Sequence, residues 1–335
     1  CRDHTGVRAD VRAEAFWRAV LYRLDVGVPV FVAIVVANTH GSPGTPGARI
    51  LVDAEGSVEG TIGGGIMEAN LVAAVHRALA SSFYAPPSLE RLVHRKKAGT
   101  PNPSGLICAG EQTNLKLWLR PGTDTTVVRA FYGATRGDAQ QRATLEVDAD
   151  GLRMAQGAAA QLAHGSDLRQ AEGGWCYRES SVNPRRLTVV GGGHCGKALT
   201  RLALDVGYSV DVFDTRGEVL DAGGWPDSAR RHLLASYDDL GSHLAYPELT
   251  TVVVMTTAVT QDIAALAAVA GRPVAWLGVM GSAAKIHEIR GQLTARGLGK
   301  DLLESISGPI GLKMKSDTPA EIAVSIMAEI LARDT

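Results

Sequence analysis

Apolar residues recur along this chain in two rhythms. Over residues 11–26, Phe16, Trp17, Val20, Leu21 and Leu24 fall three or four apart, which predicts an amphipathic helix. Val30-Phe-Val-Ala-Ile-Val-Val-Ala37 is a short run rich in β-branched residues, which predicts a buried strand. His40-Gly-Ser-Pro-Gly-Thr-Pro-Gly47 then breaks regular structure with its glycines and prolines. Arg49-Ile-Leu-Val-Asp53 and Ser57-Val-Glu-Gly-Thr-Ile62 flank Ala54-Glu-Gly56 as a hairpin. Gly63, Gly64 and Gly65 lead into a helix over 66–79. A basic loop over 96–105 delivers Leu106-Ile-Cys-Ala-Gly-Glu-Gln-Thr113 to a strand over 114–119. Beyond it the pattern predicts a hairpin over 143–152, a strand over 175–179, and a polar linker over 179–184.

From Leu187 the rhythm changes to alternating strands and helices, as in a doubly wound sheet. Leu187-Thr-Val-Val-Gly-Gly-Gly-His-Cys-Gly196 reads as a strand, a glycine turn and a helix start. Gly191, Gly193 and Gly196 fit G-x-G-x-x-G, and the next strand ends at Asp214, 18 residues past the last glycine. A dinucleotide fingerprint expects an acid about 20 residues on. Further strands fall at 250–256 and 274–279, and Thr318-Pro-Ala-Glu321 opens the last helix with a capping box. The expected fold class is α/β: an N-terminal mixed α/β domain over 1–180 and a C-terminal Rossmann-like doubly wound parallel-sheet domain over 185–335. In such a sheet ligands bind at the carboxyl ends of the strands, which gathers Gly191, Gly193, His194, Gly196, Asp214, Thr256, Thr257, Gly281 and Ser282 around one crevice.

Length supports the two-domain division, since 335 residues exceed a usual single core. A net charge of −1 gives no basic field for nucleic acid or an anionic membrane. The apolar runs are too short to span a bilayer. Four cysteines, none in a C-x-x-C pair, argue against a disulfide framework or zinc ribbon and predict a reduced, cytoplasmic protein.

The candidate chemistry is that of binding. Exposed N–H groups where Gly63, Gly64 and Gly65 open a helix suit a phosphate; a tight turn needing glycine only for its geometry is the alternative. Cys108 is either a buried inert thiol or an exposed functional one beside Glu111 and Gln112. His194 is either a first-turn helix residue or a ligand contact. Asp214 either accepts a ribose hydroxyl or caps a turn, and Arg216 offers a phosphate partner instead. No Ser/His/Asp set, metal-ligand cluster or close carboxylate pair emerges, so no catalytic residue is assigned.

Six stretches occur in an order that resembles the XdhC/CoxI family, the maturation factors of xanthine dehydrogenase and carbon monoxide dehydrogenase. They are Gly41-Ser-Pro-Gly-Thr-Pro-Gly-Ala48, Gly60-Thr-Ile-Gly-Gly-Gly-Ile-Met-Glu68, Ser104-Gly-Leu-Ile-Cys-Ala-Gly-Glu-Gln112, Gly192-Gly-His-Cys-Gly196, Gly278-Val-Met-Gly-Ser282, and Pro309-Ile-Gly-Leu312 with Thr318-Pro-Ala-Glu-Ile-Ala-Val-Ser325. The resemblance covers nearly the whole chain and thins over 120–184. It implies an N-terminal XdhC/CoxI domain followed by a Rossmann domain, and a chaperone rather than a turnover enzyme. The implied cargo is the molybdenum cofactor (molybdopterin), a pterin dithiolene carrying a phosphate. The implied partners are a cysteine desulfurase-type sulfurase, a xanthine dehydrogenase-type molybdoenzyme as client, and a second copy in a homodimer. On this resemblance the glycine loops meet the phosphate, Cys108 lies near molybdenum as a soft donor, and Glu68, Glu111 and Gln112 hydrogen-bond the pterin edge.

Three places depart from the family pattern. Pro43-Gly44 stands where Pro-Arg is common, Thr256-Thr257 where Thr-His is common, and Lys315-Ser316 where Gly-Ala is common. The rival reading is an NAD(P)- or FAD-dependent oxidoreductase with a nucleotide in the Rossmann crevice.

Overall fold

The computed structural model describes residues 13–94, 110–136, 142–157 and 161–333. Cys108 and the basic loop over 96–105 lie outside the described residues. The chain divides into two compact units, Cys1–Asn183 and Pro184–Thr335.

In the first unit α1 (Ala13–Asp25) precedes β1 (Val30–Asn38), β2 (Arg49–Asp53) and β3 (Val58–Gly60). Then come α2 (Gly65–Ala80), β4 (Ser88–His94), β5 (Gly110–Leu119) and α3 (Thr125–Arg136). The five strands form an antiparallel sheet in the order β3-β2-β1-β5-β4. Val30, Val32 and Ile34 pack with Leu115 and Leu117 against Trp17, Val20 and Leu24 of α1 and Phe131 of α3. The alternate residues Phe31, Ala33 and Val35 face Met67, Val75 and Leu79 of α2. Because β1 is covered on both sides, its sequence is continuously apolar rather than alternating.

A four-stranded sheet completes this unit: β6 (Thr144–Asp148), β7 (Gly151–Met154), β8 (Ser166–Ala171) and β9 (Gly174–Ser180), in the order β7-β6-β9-β8. Here the expected linker over 179–184 is corrected. Glu179 and Ser180 close β9, and the Glu179 carboxylate is buried. It accepts hydrogen bonds from Trp17 Nε1 (3.0 Å), Arg49 Nη1 (3.1 Å) and Tyr177 Oη (3.1 Å). Polar composition mimics a linker, but both carboxylate oxygens of Glu179 meet internal partners, so the start of the segment belongs to the core, and the boundary between the units falls at its far end, between Asn183 and Pro184.

The second unit carries six parallel strands: β10 (Arg186–Val190), β11 (Ser209–Asp214), β12 (Arg230–Leu233), β13 (Thr250–Val254), β14 (Trp276–Val279) and β15 (Ile306–Ser307). Their order, β12-β11-β10-β13-β14-β15, is 3-2-1-4-5-6 in the unit's own count, the order of a dinucleotide-binding Rossmann sheet. Helix α4 (His194–Asp205) runs on from the glycine turn. Short helices α5 (Gly217–Asp221) and α6 (Leu240–His243) flank β12, and α7 (Val259–Val269) follows β13. Beyond β14 come α8 (Ala283–Ala295), α9 (Lys300–Ser305) and the final α10 (Pro319–Arg333). Leu187 and Val189 pack with Leu199 of α4 and Ile326 and Ile330 of α10, whereas Val190, Val252 and Val254 pack with Ile263 and Leu266 of α7 and Ile289 of α8. Among the described residues no helix is long and apolar enough to cross a membrane.

Candidate functional site

Two places collect the residues singled out by the sequence, one in each unit. The first lies at one end of the five-stranded sheet. There β1 ends at Asn38, β2 begins at Arg49, β3 ends at Gly60 and β5 begins at Gly110, with Asn38 opposite Gln112 and Ile50 opposite Gly60. Three loops therefore meet: residues 39–48, residues 61–65, and the first residues of β5.

Gln112 clasps them. It is fully buried, and its Oε1 accepts from Ser42 Oγ (3.2 Å) and the Gly44 N–H (3.2 Å). Its Nε2 donates to Ile62 O (2.9 Å) and Asn114 Oδ1 (2.8 Å). Thr39 adds a second tie, donating its N–H to Glu111 O (2.9 Å) while its Oγ1 accepts the Glu111 N–H (2.7 Å). The loops approach so closely that a Cβ at Gly44 would fall 2.5 Å from Gln112 Oε1 and 2.6 Å from Ile62 O. That is the physical reading of the Pro43-Gly44 departure: the Gln112 amide fills the space a side chain at 44 would need.

The expected ligand contacts are rearranged by this geometry. Glu68 Oε2 accepts from Thr61 Oγ1 (2.7 Å), the Ile62 N–H (3.0 Å) and the Gly64 N–H (3.2 Å), so it locks the glycine turn onto α2. Gly63 N–H donates to Thr61 Oγ1 (3.2 Å). Gly65, the first residue of α2, is exposed, next to Ile66, which is 60% exposed. Glu111 pairs with Arg91 at the surface. Gln112 and Glu68, read from the sequence as pterin contacts, bond the loops: both side-chain polar atoms of Gln112 and Oε2 of Glu68 have partners inside the protein.

The second place is a cleft of about 480 Å³ at the carboxyl ends of β10, β11, β13 and β14. Gly192, Gly193, His194, Cys195 and Gly196 form its floor, with Lys197, Arg216, Glu218, Val219 and Ala222 on one side and Met255, Thr256, Thr257 and Met280 on the other. The three fingerprint glycines have different reasons to be glycine. Gly191 sits at φ +108°, and a Cβ there would lie 2.5 Å from Met255 O; one at Gly196 would collide with Gly191 O. At Gly193 the φ is −62° and an added Cβ would meet nothing within 4 Å. The first and third glycines serve the fold; at the second, packing does not demand glycine.

Asp214 departs most from expectation. Its carboxylate is wholly buried, and Oδ2 accepts from the Gly192 N–H (2.7 Å) and Arg216 Nη2 (2.8 Å), while Oδ1 accepts from Arg216 N (2.9 Å) and Nε (2.9 Å). Burial pushes its pKa up, but the hydrogen bonds from Arg216 and the Gly192 N–H outweigh that and hold it below the usual carboxylate range. Four bonds match the acceptor capacity of a carboxylate, so no oxygen is left for a ribose hydroxyl.

Gly281 and Ser282 do not line the cleft; Met280 does. Ser282 Oγ caps α8 by accepting the Lys285 N–H (3.3 Å), and Lys285 folds back to donate to Met280 O (3.2 Å) and pair with buried Asp262 (2.5 Å). Thr257 Oγ1 bonds Gln261 Oε1 (3.2 Å). Cys195 is a thiol that burial pushes upward, protonated at neutral pH. Lys197 lines the cleft and was not flagged by the sequence, although it directly follows the fingerprint. Its Nζ donates to Gly223 O (2.9 Å) and lies 4.9 Å from the Trp225 ring centroid, pinning residues 223–225 over α4. Among the described residues no group of three or more His, Cys, Asp or Glu is placed to hold a metal ion.

Comparison with known proteins follows the same division. Residues 187–330 match the XdhC Rossmann domain and residues 24–84 match the XdhC and CoxI family, together more than half of the chain. The uncharacterized protein YqeB of Escherichia coli (strain K12) is 26% identical over 303 residues, which are 90% of this chain and 43% of that protein. A probable xanthine dehydrogenase subunit of Bacillus subtilis (strain 168) is 28% identical over 151 residues, 45% of this chain and 43% of that protein. The matches thus span less than half the length of these curated relatives. A crystal structure of a xanthine dehydrogenase from Bacillus halodurans superposes with a TM-score of 0.68 at 17% identity, covering 95% of both chains, a likeness of fold.

Proposed function

Since the chain belongs to the XdhC and CoxI family, we propose that it is an accessory protein of a xanthine dehydrogenase-type molybdoenzyme, with the molybdenum cofactor as its cargo. The observation that carries this reading is the clasp in the first unit. Two loops far apart in sequence are drawn to the start of β5 by a buried amide whose four bonds are all to protein atoms. So many internal bonds devoted to loop position suit a binding surface that must be held rigid.

On this reading the phosphate of the pterin takes the outward N–H groups at the opening of α2, where the helix dipole favours an anion. Cys108, two residues before β5, supplies a soft thiolate toward molybdenum. The protein shields the cargo while a cysteine desulfurase-type sulfurase exchanges its oxo ligand, then hands it to the client, working as a homodimer.

The test is retention. The full chain is expressed in a host that makes the cofactor, and bound pterin (by fluorescence after oxidation) and molybdenum (by mass spectrometry) are measured per chain. Two variants spare the clasp: Cys108→Ala, and Ile66→Asp, which sets a negative charge at the exposed helix opening. The wild-type chain is expected to carry both pterin and metal, and each variant to lose most of them. A wild-type chain free of pterin, or two variants that retain it undiminished, overturns the reading.

A further inference from the structure

The cleft of the second unit lies at the carboxyl ends of its strands. Its sheet order, 3-2-1-4-5-6, places the cleft at the switch point between β10 and β13, where dinucleotides lie. Gly193 gives that placement an independent mark. Its backbone conformation is open to any residue and a Cβ there touches no protein atom, so the absence of a side chain keeps space for a ligand rather than for the fold.

The adenosine end of such a ligand would reach the tip of β11. In a sheet that binds the unphosphorylated form, a free carboxylate there accepts the ribose hydroxyls. Here that carboxylate, Asp214, is buried and saturated by Arg216 and the Gly192 N–H. Arg216 itself lines the cleft at this position, and its guanidinium presents Nε and Nη2 to Asp214, leaving Nη1 outside that pair. The buried acid orients the cation, and a planar fork held in this way suits a phosphomonoester. We propose that the cleft binds an adenine dinucleotide whose adenosine ribose carries a phosphate, selected by Arg216 over the form with a free diol.

Titration of the full chain with NADPH and NADH, followed by fluorescence and calorimetry, tests this without any pterin present, so its outcome is independent of the cargo reading. NADPH is expected to bind roughly tenfold or more tightly than NADH, the worth of one charge-assisted contact. The preference is expected to shrink as salt is raised. Arg216→Gln is expected to bring NADPH down to the NADH level. Gly193→Val, whose branched side chain enters open space at the N-cap of α4, is expected to abolish binding of both while the chain still unfolds in one cooperative melt, lowered only by the cost of a poorer cap. Should Arg216→Gln fail to fold, the wild-type ratio and competition by 2′-phosphoadenosine decide. Saturable binding of neither dinucleotide, equal or tighter binding of NADH, or a Gly193→Val chain that binds like the parent overturns the proposal.

Discussion

Replacing Gln112 by Leu tests whether the loop clasp holds the first unit together at the sheet end. Leu is close to Gln in volume, so no cavity complicates the result. The change strips partners from the Gly44 N–H, Ile62 O and Asn114 Oδ1, all enclosed around a side chain that is 0% exposed. Ser42 Oγ, at the rim, regains water. An unsatisfied buried polar group costs about 1–3 kcal/mol, so three neighbouring ones, allowing for relaxation, cost roughly 3–6 kcal/mol. For a unit of this size each kcal/mol is worth about 2–4 °C, which places the expected fall of its melting transition at roughly 10–20 °C. Differential scanning calorimetry reads the fall, and hydrogen exchange of peptides spanning residues 39–65 reads where it originates. A shift below about 3 °C, with unchanged exchange at those loops, would show that the clasp contributes nothing of the kind argued.

Three further outcomes follow from the same structure. Glu179→Ala removes a buried carboxylate bonded to Trp17, Arg49 and Tyr177, so urea unfolding is expected to show a loss of about 3–5 kcal/mol; a loss under 1 kcal/mol refutes the assignment of residue 179 to the core. Gly191→Ala and Gly196→Ala, which drive a Cβ into backbone oxygens, are expected each to destabilise the second unit by roughly 2 kcal/mol or more, whereas Gly193→Ala is expected to stay within about 0.5 kcal/mol of the parent. Equal effects at the three glycines in thermal melts would refute the separation of their roles. Burial pushes Asp211 up, yet hydrogen bonds from Arg230 and His232 and the charges of Arg230 and Arg186 outweigh it and hold its pKa well below the usual carboxylate range; Asp214 is likewise lowered. Depressed folded values mean that the stability they contribute is complete above the unfolded pKa of about 4 and drains as pH falls through the folded values. Melting midpoints measured from pH 6 to pH 2 are therefore expected to drop below about pH 4, and Asp211→Asn to flatten that drop while lowering the midpoint at neutral pH.

Much of the second unit was legible because its signals are local. The apolar runs at 187–190 and 250–254, the glycine spacing and the Pro-bearing capping box each act within one turn or strand, and Glu321 does accept the Thr318 N–H (2.8 Å) as the box requires. In the first unit β1, β2, β3, β5, β6, β7 and β9 were legible for the same reason, whereas β4 and β8 were not read from the sequence. What stayed hidden was partnership. Asp214 has the right spacing for a ribose acceptor, but spacing cannot show that Arg216 and Gly192 already occupy its oxygens. Gln112 and Glu68 sit in the loops that a ligand site would use, and nothing local distinguishes a side chain facing a ligand from one facing another loop. Glu179 looked like linker because the partners that make its burial tolerable, Trp17 and Arg49, lie more than a hundred residues away.

The clasp also has a consequence in time. Gln112 bonds Gly44 and Ile62 across 68 and 50 residues of chain, and β5 supplies the partner strand for both β1 and β4. Such long-range contacts form only after the intervening chain has closed on itself. During synthesis, the earlier loops over 39–48 and 61–65 therefore have their own local ties but not the Gln112 bonds between them until the chain through residue 119, the last of β5, has been released. A nascent chain stopped short of β5 has every glycine of the two earlier loops and lacks the Gln112 amide that joins them.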